Sequence, residues 1–191
     1  MFDNLERSYN TTQGFARNLR LASGFNFWLQ LGLAVVSIAI LAFAIADPNF
    51  NLQGTKPMSG AGLLFAVGGL FFLAVSIFWA FTCTRLAYEL QNDAGVYLGK
   101  EEIITKLWRG LFFNAVGLIS TLLGIEAVVG TLIAKSLTQV EGLAIYNSSQ
   151  LIEPLDLLVI QANINTIVAQ SIGILVAAWL ISRIGRHQIK N

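Results

Sequence analysis

Four apolar stretches, near 25–46, 60–82, 110–134 and 158–182, are separated by short polar intervals along this chain. Phe27–Ala46 contains no charged residue, and neither does Gly60–Thr84. An α-helix rises about 1.5 Å per residue, so about 20 such residues cross the roughly 30 Å of bilayer hydrocarbon. A soluble bundle would need a polar face on each helix, and these stretches have none. The pattern predicts an all-α membrane protein with four transmembrane helices. It divides the chain into a polar, amphipathic N-terminal segment (1–24), a transmembrane domain (25–182) and a basic tail (183–191).

Composition agrees. Of 191 residues, 55% are hydrophobic and 12% charged, about half the charged fraction of a typical soluble domain. The intervals between the apolar stretches are too short for a separate soluble domain. Ala44-Ile45-Ala46 before Asp47-Pro48 resembles a signal-peptidase site. The apolar run is longer than a signal core, however, and follows a polar leader, so the expectation is an uncleaved first transmembrane helix.

Basic residues orient the predicted helices. Arg7, Arg17 and Arg20 precede the first; Arg85, Lys100, Lys106 and Arg109 lie between the second and third; Arg183, Arg186 and Lys190 follow the fourth. That is ten on one side, against Lys56 and Lys135 on the other. The positive-inside rule then puts both termini in the cytoplasm. Trp28, Trp79, Trp108 and Trp179 fall near the same, inner interface, where amphipathic rings settle among headgroups.

Two short interfacial helices are expected. Phe15, Leu19, Arg17 and Arg20 can lie on the membrane surface before the first crossing. Glu101 and Glu102, suited to a helix N-terminus, open a second such helix before Trp108. Arg85, Glu89 and Asp93, four residues apart, continue the second crossing outward until Gly95 and Gly99 interrupt it. The acids and bases of this inner loop cancel, so no nucleic-acid partner is indicated. The outer loops carry turn residues, a net negative charge around Glu141, Glu153 and Asp156, and a formal glycosylation match at Asn147-Ser148-Ser149.

Candidate chemistry is sparse. Cys83 is the single cysteine and His187 the single histidine, so neither a disulfide within the chain nor a structural zinc site is expected. No catalytic motif stands out, and the chain reads as a non-enzyme without a cofactor. Glu126 is the exception, an acid well inside the third apolar stretch. It lies about 9 Å from the outer boundary near Leu132 by helical rise. A carboxylate there is paired, protonated or turned toward a polar cavity.

At about 100° per residue, Gly110, Asn114, Gly117, Thr121 and Gly124 form one narrow stripe, a close-packing surface, with Glu126 nearly opposite. Two faces unsuited to lipid imply that the third helix is central, or that one face is a subunit contact. Asn163, Thr166 and Gln170 share a face of the fourth helix, level with Glu126, and Gln170 can hydrogen-bond Glu126 or a bound ion. This cluster reads either as a buried clamp between helices or as a thin polar cavity. Asn26, Gln30 and Asn114, toward the inner side, can extend it into a path.

The run Ala16-Arg17-Asn18-Leu19-Arg20-Leu21-Ala22-Ser23, followed by Phe25-Asn26-Phe27-Trp28-Leu29-Gln30, resembles a membrane protein family widespread in cyanobacteria. Its plant relatives sit in the chloroplast inner envelope and have been described as an iron permease and as a protein-translocon component. The resemblance extends over nearly the whole chain, with residues 16–30 its best local match. It carries no catalytic or metal-binding set onto these positions. Without a long transit sequence, the chain is expected to be a bacterial member in a cyanobacterial plasma or thylakoid membrane. The resemblance implies a transport-associated protein, with iron or another divalent cation as cargo; the alternative is an accessory or assembly subunit of a protein translocase or photosynthetic complex. Lipid, and other membrane subunits or a second copy, are the expected partners. Iron favours carboxylate, imidazole or thiolate ligands, and the membrane portion supplies only Glu126 and Cys83, on different helices and at different depths.

Overall fold

The computed structural model describes residues 2–46, 60–92, 100–139 and 154–188, all of them helical. The helices are α1 (Phe2–Ala46), α2 (Gly60–Asn92), α3 (Lys100–Gln139) and α4 (Pro154–Gln188). Each is long and apolar enough to cross a membrane, over Arg17–Phe43, Leu64–Glu89, Glu101–Ala134 and Leu157–Ile184. A helix satisfies its backbone hydrogen bonds internally, which hydrocarbon demands of any spanning segment. The glycosylation match at 147–149, the acidic residues 141 and 153, and Asp93, Gly95 and Gly99 lie outside the described residues.

The helices form a ring. α1 packs on α2 and α4, and α3 packs on α2 and α4. Cross-helix neighbours fix the directions. Gly62 lies beside Val128 while Gly110 lies beside Trp79, so α2 and α3 are antiparallel. Gln30 bonds Ala169 while Ser37 bonds Ala162, so α1 and α4 are antiparallel as well. The result is an up-down-up-down four-helix bundle.

Its surface is inverted relative to a soluble bundle. Trp28, Leu64, Phe71, Phe112, Ile119 and Leu175 are among many large apolar side chains on the exterior. Ser23, Asn26, Gln30, Ser37, Ser76, Asn114, Thr121, Asn163, Thr166 and Gln170 are buried. Lipid solvates the first group, and the bundle supplies partners for most of the second. This is an integral membrane protein.

At one end, arginines stack on aromatic rings: Arg20 over Tyr88, Arg109 over Trp79 and Arg183 over Trp179, each within 5.4 Å of the ring centre. This basic, aromatic end corresponds to the inner side read from the sequence. The Arg85–Glu89 pair of the expected series forms at 3.1 Å, and Lys106 pairs with Glu102 at 2.8 Å.

The two interfacial segments differ from expectation. Neither is a separate helix. The N-terminal segment is the first part of α1, and the stretch before Trp108 is the first part of α3. The reason lies in their apolar residues. Leu19, Ile103 and Leu107 turn inward and pack with Cys83, Leu86, Ala87, Leu180 and Ile184 in one buried cluster. Burial against three neighbouring helices offers these side chains more contact than a membrane surface would, and it carries the bundle past the predicted boundaries.

Candidate functional site

The inward face of α3 sets the geometry of the interior. Ile103, Leu107, Asn114, Gly117, Thr121, Gly124 and Val128 are its buried positions, three, four or seven apart. They include most of the small-residue stripe. Gly124 and Gly62 bring α3 against α2, with an added Cβ on Gly124 only 3.2 Å from Ala66 N and Phe65 Cβ. A Cβ on Gly69 would overlap the Thr121 hydroxyl and stand 3.1 Å from Thr121 Cβ. At Gly117 it would overlap the Gln170 amide and stand 2.8 Å from Phe72 Cβ. Gly110 is looser, with Trp79 Cβ at 3.6 Å. Close backbone approach at the first three positions brings polar groups of neighbouring helices into hydrogen-bonding range.

Two amide stations occupy the centre. Gln170 Nε2 of α4 donates to Gly69 O of α2 at 2.9 Å, and the Thr121 hydroxyl of α3 lies 3.3 Å from Gln170 Oε1. Gln30 Nε2 of α1 donates to Asn114 Oδ1 of α3 at 3.0 Å and to Ala169 O of α4 at 3.2 Å. Asn114 Nδ2 in turn donates to Gly110 O. α1 and α3 face each other across the ring, and their amides meet beside Gly173, where a Cβ would overlap Gln30 Nε2. Both glutamines are fully buried. Toward the far end, Ser37 Oγ donates to Ala162 O at 3.0 Å, with Thr166 Oγ1 beside it at 3.4 Å. Asn163 Nδ2 donates within its own helix, to Val159 O.

Of the residues singled out from sequence, Asn114, Asn163, Thr166 and Gln170 therefore lie in the interior. Glu126 does not. It is exposed on the opposite face of α3, with Ile119, Leu122, Leu123, Gly130 and Ile133 also on the exterior. Gln170 does not bond Glu126, because it is engaged by Gly69 and Thr121 on the far side of the helix. No hydrogen bond or ion pair of Glu126 is found among the described residues. Nor, among those residues, does any group of three His, Cys, Asp or Glu side chains come together as a metal would require.

Ser37, Gly69 and Gly173 were not legible as part of this interior. A signal existed for Ser37: Ser23, Asn26, Gln30 and Ser37 recur three, four and seven residues apart and mark one polar stripe of α1. Two buried acceptors, Asn26 Oδ1 and Gln30 Oε1, have no donor among the described residues.

A family described as "Protein of unknown function (DUF3611)" matches residues 9–185. The chain belongs to this family. It is also 30% identical over 172 residues to "Protein TIC 21, chloroplastic" of Arabidopsis thaliana, an alignment covering 87% of this chain. The chain spans 56% of the length of that relative. No solved structure matches. The family match takes in all four spans and both amide stations, so the bundle is the shared part of the likeness.

Proposed function

We propose that this chain is a non-catalytic accessory or assembly subunit of a larger membrane complex, joined to it through the exposed face of α3. The observation that carries this reading is Glu126. A carboxylate on the outer surface of a transmembrane helix, about 9 Å inside Leu132 by helical rise, is costly against lipid and stable against a donor or cation. The interior offers it nothing, since the close-packing stripe and both amide stations lie on the other side of α3. The occupant that suits it is a transmembrane helix of another protein carrying a lysine, arginine or amide at that depth. A second copy docked on a two-fold axis through Glu126 would oppose carboxylate to carboxylate. The resemblance to chloroplast inner-envelope proteins supports a cyanobacterial plasma or thylakoid membrane as the setting, and the ten-to-two distribution of basic residues supports cytoplasmic termini.

A second reading, cation permeation, draws on one observation: buried polar side chains run from Ser23 to Ser37 on α1 and from Gln170 to Asn163 on α4. These groups are mostly committed to one another and are packed on glycines, which favours the clamp over a path. One experiment separates the readings. Extraction of native membranes into lipid particles, followed by mass measurement, is expected to find the chain with a different membrane protein. A solitary 20.8 kDa chain that moves divalent cations across sealed vesicles would reverse the preference.

A further inference from the structure

Between the amide station at Gln30 and the apolar cluster at the basic end lies a cavity of about 30 Å³. Ser23 and Asn26 of α1, Ser76 and Cys83 of α2, Lys106 and Asn114 of α3, and Gly173 of α4 line it. The protons of its hydroxyls are already committed: Ser23 Oγ donates to Leu19 O, and Ser76 Oγ to Leu73 O. Asn114 accepts from Gln30 and donates to Gly110 O. What remains for the cavity is the acceptor lone pairs of both hydroxyls and the unpaired Asn26 Oδ1, beside donors on the Asn26 amide, Lys106 and the Cys83 thiol. Asn26 is 7% exposed, so that oxygen has little other access to a donor.

We propose that this cavity is a water-binding inlet. It takes one or two water molecules, which enter past Lys106 and donate to Asn26 and the two serines. The volume suits that number, and a buried water needs two to four polar partners, which these residues supply. Oδ1 is itself shielded, and rotation of the Asn26 amide about χ2, a soft torsion, brings it to the water. Lys106 is three-quarters buried and held by Glu102, so it stands as a charged lip to the opening. The inlet ends at the Gln30–Asn114 bond over Gly173, where there is no room even for a Cβ. Water therefore reaches part-way into the bundle from the basic end and stops. The ligand is a small neutral group that both donates and accepts, because the lining offers acceptors and donors together and its one charged group, Lys106, is already paired with Glu102.

Cys83 makes the proposal measurable, since the chain has one cysteine and its S–H stretch is a single infrared band. Full-length protein in lipid nanodiscs is transferred to D2O. Water in the inlet exchanges the thiol proton within the mixing time, although the residue is buried. Asn26→Leu replaces the unpaired acceptor with an apolar group and slows exchange by about tenfold or more, because the proton then leaves only through local opening of packed helices. Leu175→Ala, on the exterior and outside the inlet, leaves the rate unchanged. Should Asn26→Leu fail to fold by circular dichroism, Ser76→Val closes the opposite wall and is expected to slow exchange equally. A wild-type S–H band that persists after exposed amides have exchanged overturns the proposal, as does unchanged fast exchange in the folded variants.

Discussion

Gly117→Ala is expected to destabilise the bundle by about 1–3 kcal/mol, the usual range for overpacking an interior. The added Cβ meets Phe72 Cβ at 2.8 Å and the Gln170 side chain on its other flank. Phe72 Cβ is fixed to the α2 backbone, so the contact is relieved only by moving α2 from α3. Such a movement stretches the Gln170–Gly69 and Thr121–Gln170 bonds, which lie beside it. Gly130→Ala on the same helix makes the internal comparison. An added Cβ there has no neighbour within 4 Å, and alanine in a helix interior is favoured over glycine by roughly 0.5–1 kcal/mol. The two substitutions share chemistry and helix and are expected to differ in sign. Unfolding in mixed micelles with increasing denaturing detergent, followed by circular dichroism, reads both. Equal effects would mean that α2 and α3 are not locked at this position.

Glu126→Leu is expected to release the chain from its complex without weakening its fold. An interhelical hydrogen bond in a membrane is worth about 1 kcal/mol, and breaking a buried ion pair costs several. The expected fall in partner recovery after gentle extraction is therefore about tenfold or more. Glu126→Gln keeps a hydrogen-bonding group of the same shape and is expected to retain much of the association if the partner offers a donor. The bundle itself loses nothing with Glu126, as the carboxylate has no bond among the described residues. Asn114→Leu supplies the contrast: it removes the acceptor of Gln30 and is expected to lower stability first. Unchanged partner recovery in Glu126→Leu would remove the reason for assigning α3 as the attachment face.

The fold was largely legible because hydrocarbon allows so few alternatives. The four crossings follow from charge-free runs such as Phe27–Ala46, and the inward face of α3 follows from Asn114, Gly117, Thr121 and Gly124 sharing one stripe. Helix ends were harder. Hydropathy marks where apolar residues stop, whereas the helix continues wherever side chains find other company, as Leu19 and Ile103 do in the buried cluster. The polar interior was half visible. Gln170 and Asn114 stood out as amides in apolar runs, but their partners are Gly69 and Ala169 carbonyls, which carry no side-chain signal.

The angular position of Glu126 is legible in the sequence, and its company is not. Its partner stays open in the sequence, between Gln170 of the same bundle and a contact with another subunit. Angular position says only that Glu126 opposes the small-residue stripe. The structure adds that the stripe faces inward, so the carboxylate faces out.

The most direct test of the account puts a photo-crosslinking amino acid at position 126 in native membranes, with position 175 on the exposed outer face of α4 as the comparison. A discrete adduct with a different membrane protein is expected from position 126, and lipid adducts alone from position 175. Lipid adducts alone from both positions would contradict it.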